Sequence, residues 1–201
     1  MTNLLLTTET DAPVLLRLLS VESLDAAVDL CDACVGKNLY TRDELKQVIE
    51  DANRFFYLVE TQEGEIIGYF YFYLTSPQSI SASSMLDVKT IAEVCPGLKA
   101  GEIKSVGLKK EYRGLGIAES MIRFAQDRLQ EMGAETIFAV CWKIRDFVPL
   151  GSALVKNDFQ FLSEARKVWF DNEALVCPIC NGRCVCDAAV YYRKRTKGMA
   201  E

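Results

Sequence analysis

The 201-residue chain contains no histidine, which removes the commonest proton shuttle and metal ligand from its chemistry. Any zinc site therefore falls to cysteine, with acidic residues as the alternative. Basic residues are not in surplus either. Lys and Arg number 23 against 28 Asp and Glu, for a net charge of -5, which argues against a general nucleic-acid footprint. No uninterrupted apolar run reaches the ~18 residues of a membrane span, so no contact with a membrane is expected. The first residues, MTNLLLTTETD, lack the basic start and cleavage site of a secretory leader, and a cytoplasmic location is expected. Internal repeats and low-complexity tracts are absent.

What is present is ordinary for a globular protein: half the residues are apolar and a quarter charged. The length suits one good-sized core, so residues 1–201 are expected to form a single domain. The eight cysteines stand out. In a reducing compartment, clustered cysteines more often bind metal or lie buried than pair as disulfides.

Residues 1–12 read as a ragged lead-in or an extra edge strand. Val14 to Leu19 reads as a strand, and Ser20 and Ser23 as caps of a helix running to about Cys34. Thr41 and Glu44 form a capping box for a second helix through about Asp51. Phe55–Glu60 and Glu65–Leu74 make a hairpin across Thr61–Gly64. Ser76–Ser84, with its proline and serines, reads as a loop, and Met85–Cys95 as a short helix. This long excursion over 75–101 is either functional or disordered. Ile103–Leu108 is a strand, followed by a helix of about 18 residues from the glycines at 114 and 116, judged by apolar spacing. Thr136–Cys141, Ala165–Phe170 and Ala188–Tyr192 read as further strands, with a short helix over Val148–Asn157.

The chain is organised around EIKSVGLKKEYRGLGIAESM, Glu102 to Met121. Here Arg113-Gly114-Leu115-Gly116-Ile117-Ala118 opens a long amphipathic helix directly after a strand. Glycines at a helix head leave backbone N–H groups bare, and the positive end of the helix dipole adds to them, which makes a place for phosphate oxygens. The spacing is neither that of a P-loop nor that of a dinucleotide fold.

This stretch resembles the Arg/Gln-x-x-Gly-x-Gly/Ala signature of the GNAT acyl-CoA N-acyltransferase superfamily, clearly from about Glu102 to Val140 and by order of elements from Val14 to Tyr192. The resemblance implies an α/β fold with a central, twisted, mixed sheet of about seven strands. That sheet would splay between its fourth and fifth strands and carry helices on both faces. It implies acetyl-CoA as cosubstrate and an amine as acceptor. Arg113, Gly114, Leu115, Gly116, Ile117 and Ala118 would hold the pyrophosphate, and the backbone of Val106, Gly107 and Leu108 the pantetheine arm and thioester carbonyl. Glu102, eleven residues before Arg113, matches the strand glutamate that serves as base in the histone-acetylating branch; a solvated glutamate at the strand end is the plain alternative. The family's tyrosine on the helix after the fifth strand aligns with Leu154. The departing thiolate would then be protonated by another group, such as Cys141 or Tyr191, or by water, or the chain does not catalyse. Homodimers are common in the family.

The second signal is Cys177-Pro-Ile-Cys180-Asn-Gly-Arg-Cys184-Val-Cys186. A Cys-Pro-x-Cys turn points two thiolates at one metal, and Asn181-Gly182 can return Cys184 and Cys186 to it. Four thiolates would close a structural zinc site with no open position. Cys31 and Cys34, three apart on the first helix, joined to two of the later four, form a rival set. Free or redox-active thiols without metal are the third possibility. Cys95 and Cys141 read as isolated and buried. Two functions of different kinds follow: an acetyl-CoA-dependent N-acetyltransferase, or a non-catalytic acyl-CoA-binding module whose cysteine hairpin docks another protein.

Overall fold

The computed structural model describes residues 4–6 and 13–195. Its strands are β1 (Leu4–Leu6), β2 (Val14–Leu18), β3 (Arg54–Glu60), β4 (Ile66–Thr75), β5 (Ala100–Leu108), β6 (Thr136–Lys143), β7 (Gln160–Ala165), β8 (Val176–Cys177), β9 (Gly182–Arg183) and β10 (Asp187–Lys194). Its helices are α1 (Leu24–Cys34), α2 (Arg42–Glu50), α3 (Pro77–Ser84), α4 (Val88–Val94), α5 (Ile117–Glu131) and α6 (Gly151–Lys156). Eight strands form one sheet in the order β1-β2-β3-β4-β5-β6-β10-β7, and β8 and β9 form a separate small hairpin. Every pairing in the large sheet is antiparallel except β5 with β6.

Strand alternation sorts the core onto two faces. Tyr69 and Tyr71 of β4 turn to the side where α1 and α2 pack, with Phe56 and Leu58 beside them. Phe70 and Phe72 turn the other way, onto Ile117, Met121, Ile122, Ala125 and Leu129 of α5. The α3–α4 pair covers Ala100, Phe138 and Val190 through Ile80, Ile91 and Val94. Phe138 is paired with Glu102, and Glu102 with Tyr73, so α3 and α4 lie on the same face as α1 and α2. The expected mixed sheet with helices on both faces is present, with eight strands in place of about seven.

The capping signals are where the sequence puts them. Thr41 accepts from the Glu44 amide at 3.2 Å and Glu44 reaches back to the Thr41 amide at 2.7 Å. Ser20 and Ser23 form the box that opens α1 through a short 3-10 turn. Three expectations are corrected. Ser76–Ser84 is not a loop: Ser76 caps the Ser79 amide at 3.2 Å and Pro77 occupies the first turn, where its missing N–H costs nothing, so α3 forms. The strand expected at Ala165–Phe170 ends where it was expected to begin, because Lys167 has φ 50° and extended pairing cannot pass it. The α5 helix is 15 residues long, closed by Gly133 at φ 92°. β1 is an extra edge strand on β2; the rest of the lead-in, and the tail beyond 195, lie outside the described residues. Among the described residues no helix is long and apolar enough to cross a membrane.

Candidate active site

A break in the sheet creates the site. β5 pairs with β6 only from Ala100↔Thr136 to Ile103↔Ala139. Beyond that point β5 stays with β4 as far as Leu108 and β6 stays with β10 as far as Lys143. The distortion starts at a bulge: Tyr71 faces Ser105 and Phe72 faces Ile103, leaving Lys104 as the extra residue. Bulges add twist and bend the strand that carries them, so β5 turns away from β6. The opening is a cavity of about 670 Å³ with Lys104–Leu108 on one side and Val140, Cys141 and Trp142 on the other.

At one end of this cavity sits the glycine elbow. Gly114 and Gly116 have φ of 78° and 74°, a region costly for any residue with a Cβ. A Cβ at Gly114 would meet nothing within 4 Å, so its glycine is required by backbone conformation and not by crowding. Gly116 is the N-cap of α5 and offers no side chain, which leaves the first-turn amides for an anion. The Arg113 side chain faces its own scaffold: Nε–H donates to Leu108 O at 2.9 Å, and a terminal nitrogen to Cys34 O at 3.3 Å. It ties the elbow to the end of β5 and the end of α1. The Tyr112 hydroxyl and Lys109 ammonium both donate to Glu65, at 2.8 and 2.9 Å, which steadies the approach to the elbow. Glu119, in the first turn, is matched by Lys156 of α6 at 2.7 Å. Gly114, Gly116, Ile117 and Ala118 line the cavity with Arg113, whereas Leu115 does not.

Glu102 is fully buried, not a solvated strand end. Its Oε2 accepts from the Tyr73 hydroxyl at 2.5 Å and the Ser83 hydroxyl at 3.3 Å, and Oε1 from Lys104 Nζ at 3.3 Å. Desolvation, then the Glu102 charge and this hydrogen bond, hold the Tyr73 phenol far above its usual range, so it remains a proton donor to the carboxylate. Glu102 does not itself line the cavity, but Ser83 and Lys104 do. Ser83 has no local signature as a site residue, because it rides on α3, which reads as a loop by composition; the serine–proline start of that helix is the available signal. Tyr40 and Ser105 complete this side, with the Tyr69 hydroxyl 2.7 Å from Ser105 Oγ.

Leu154 is fully buried in the main core and does not line the cavity. Cys141 does line it, but burial pushes its thiol up to about 12. The Tyr191 hydroxyl stands behind the first turn of α6, 3.4 Å from where a Gly151 Cβ would lie.

The four late cysteines converge. All four sulfurs lie within 4.8 Å of one another, with Cys180 to Cys186 at 3.5 Å and Cys177 to Cys186 at 3.9 Å. Cys31 and Cys34 are not part of this group: Cys31 is buried against Tyr69, and the Cys34 Cβ lies 2.9 Å from where a Gly107 Cβ would be. Cys95 is buried and isolated as expected.

Against this geometry, the profile of the Acetyltransferase (GNAT) family matches residues 24–145, from the start of α1 to just past β6. The chain belongs to the GNAT acetyltransferase family. The GNAT fold is shared with solved structures at low identity. The ribosomal-protein-S18-alanine N-acetyltransferase from Escherichia coli superposes with TM-score 0.62 at 11% identity, over 92% of this chain and 97% of that one. A Drosophila melanogaster polyamine N acetyltransferase gives 0.59 at 10%, over 90% and 100%. A chain of the NatC complex bound to Gag peptide and CoA gives 0.59 at 14%, over 91% and 99%. The sequence matches none of the curated proteins. The profile ends before the cysteine hairpin, so that feature lies beyond the matched GNAT region.

Proposed function

We propose that the whole chain acts as one N-acetyltransferase unit, moving the acetyl group of acetyl-CoA to an amine by direct attack while both are bound. The observation that carries this reading is the opening between β5 and β6, which reaches both a glycine elbow at a helix N-terminus and the Ser83 and Lys104 side chains that contact the buried Glu102 carboxylate. Acetyl-CoA supplies an acyl carbon with a thiolate leaving group. The elbow amides from Gly114 to Ala118 receive the pyrophosphate, and Arg113 holds the elbow in place. Leu115 belongs to the elbow through its backbone. The strand edge at Val106, Gly107 and Leu108 receives the pantetheine amides and directs N–H groups at the thioester oxygen, where each preorganised donor is worth about 3 kcal/mol in barrier lowering. Glu102 takes the amine proton through the Ser83 hydroxyl or a bridging water, since both cavity-side neighbours of the carboxylate already contact it.

Cys141 is a poor acid for the departing thiolate. Its thiol, pushed up to about 12, holds its proton more tightly than an ordinary thiol of about 8.5. Water therefore returns the proton. Free thiols throughout the described residues suit a reducing compartment such as the cytoplasm, where the chain is proposed to act.

The buried Leu154 favours a second reading, an acyl-CoA-binding module without turnover, because the family's phenol is absent from that position. Calorimetric titration with CoA, together with thiol release from acetyl-CoA across a panel of amines, amino acids and peptide N-termini, separates the two. CoA binding with amine-dependent thiol release establishes the transferase. Binding without release for any amine establishes the module, and no binding removes both.

A further inference from the structure

We infer that Cys177, Cys180, Cys184 and Cys186 hold one tetrahedral zinc-class ion, and that this ion fixes the part of the cavity wall formed by Pro178 and Ile179. A tetrahedral thiolate shell with bonds of about 2.3 Å has sulfur–sulfur edges of about 3.8 Å. Two of the pairs, Cys180–Cys186 at 3.5 Å and Cys177–Cys186 at 3.9 Å, bracket that edge, and none exceeds 4.8 Å. Sulfurs that carry negative charge need donors, and three are in place. The Cys180 amide reaches Cys177 Sγ at 3.4 Å, the Val185 amide reaches Cys180 Sγ at 3.4 Å, and the Trp142 indole N–H reaches Cys184 Sγ at 3.3 Å. This is the outer shell that orients ligands and offsets their charge. With four protein ligands no position is open to substrate, so the ion is structural.

The link to the cavity is equally concrete. The segment carrying the cysteines has only two-residue strands, too short to be stable alone. It is fastened at two points. On one side Val176 N–H donates to Lys37 O at 2.9 Å and Asn38 Nδ2 to Ala174 O at 3.0 Å, binding it to the link between α1 and α2. On the other side Trp142 leaves β6 to meet Cys184 and packs edge-on to Trp169 at 6.0 Å. Pro178 and Ile179, inside the Cys177–Cys180 turn, line the cavity themselves. An ion at the four sulfurs therefore holds Pro178 and Ile179 over the opening, and its loss frees them. Assigning this wall to the amine side rests on the transferase reading; the metal site does not.

The test uses the full chain purified in reducing buffer. Close to one equivalent of zinc per chain is expected, and Co²⁺ exchanged for it should give the intense visible absorption of tetrahedral thiolate coordination. The only two tryptophans, Trp142 and Trp169, both flank the hairpin, so their emission reports on it. Chelator should remove the ion, shift that emission to the red and lower the melting temperature, and added Zn²⁺ should restore both. Cys180→Ser with Cys186→Ser should abolish metal binding, while Cys95→Ser should retain it. Affinity for CoA, governed by the elbow, should change less than about threefold on metal removal, whereas KM for whichever amine the panel yields should rise about tenfold or more. Metal below about a tenth of an equivalent with no cobalt spectrum, or metal bound equally well by the double variant, overturns the site. A metal that leaves without changing tryptophan emission overturns the wall. If zinc and the emission change are found but CoA does not bind, the ion and its structural role stand and only the transferase reading falls.

Discussion

Replacing Glu102 with Gln asks whether the buried carboxylate is chemistry or scaffold. The substitution keeps the volume and one acceptor oxygen, so Tyr73 and Ser83 can still donate to the 102 side chain. What is lost is the charge. A hydrogen bond to a charged group contributes about 1.5–3 kcal/mol, against about 1 for a neutral one, so the Tyr73 bond alone loses about 1 kcal/mol. Lys104 loses its partner too, but its side chain is 32% exposed and can turn to water, so that loss adds less than about 1 kcal/mol. The expected destabilisation is about 1–2 kcal/mol, a fall in melting temperature of roughly 2–4 °C per kcal/mol for a chain of this size.

Loss of a positioned general base costs far more, about 10²–10⁴ in rate. The two effects separate cleanly, the first in calorimetry and the second in the rate of thiol release. On the proposed mechanism, Glu102→Gln melts a few degrees lower, yet its kcat/KM falls at least about a hundredfold. A variant that shows the expected melting shift but keeps kcat/KM within about threefold refutes the assignment and leaves Glu102 as a structural carboxylate.

Gly114→Ala puts a Cβ where φ is 78° without touching another group, so stability should fall by about 1–2 kcal/mol while CoA affinity drops about tenfold, read by calorimetry. Gly107→Ala should be worse for the fold, since its Cβ would lie 2.2 Å from the Tyr69 ring and 2.9 Å from Cys34 Cβ; overpacking of this kind costs about 1–3 kcal/mol in denaturant unfolding. Cys141→Ala should leave kcat and its pH dependence within about twofold, because a thiol pushed up to about 12 supplies no proton to the leaving group. Leu154→Tyr, which restores the family's phenol in name, should not raise kcat and should lower stability by about 1–3 kcal/mol, because the ring must displace a fully buried side chain.

The sequence announced the elements whose signals are local. The Thr41–Glu44 box, the glycines at 114 and 116 and the Cys177–Cys186 spacing each depend on neighbours a few residues apart; the box forms, both glycines take positive φ and the four sulfurs converge. Lys104 shows what local reading misses. Nothing in IKSVGL marks the bend at its lysine, because the bulge is defined by the partner residues Tyr71 and Phe72 on another strand. Ser83 was hidden for a different reason: a serine-rich run reads as loop by composition, although Ser76-Pro77 is a helix start. Apolar and aromatic content over Ala165–Phe170 suggests a strand, but the positive φ that Lys167 adopts has no signal in that composition. The burial of Glu102 also escaped, since it follows from α3 closing over β5, an arrangement with no footprint in the residues around 102.

A strand edge in the middle of a sheet normally finds its partner, because backbone groups removed from water without hydrogen bonds are costly. Here the bulge at Lys104 bends β5 off β6, and the edges of Lys104–Leu108 and Val140–Trp142 face each other across a cavity without pairing. Such an arrangement persists only if the surrounding structure holds the halves apart. α1 and the Arg113 side chain fix the β5 side through Cys34 and Leu108, and β10 fixes the β6 side along its whole length. The exposed edges then invite a guest that is itself extended and rich in amides, with a charged group at the end nearest the glycine elbow. A pantetheine arm ending in a pyrophosphate has that form, which is why the break in the sheet, more than any single side chain, supports the transferase reading.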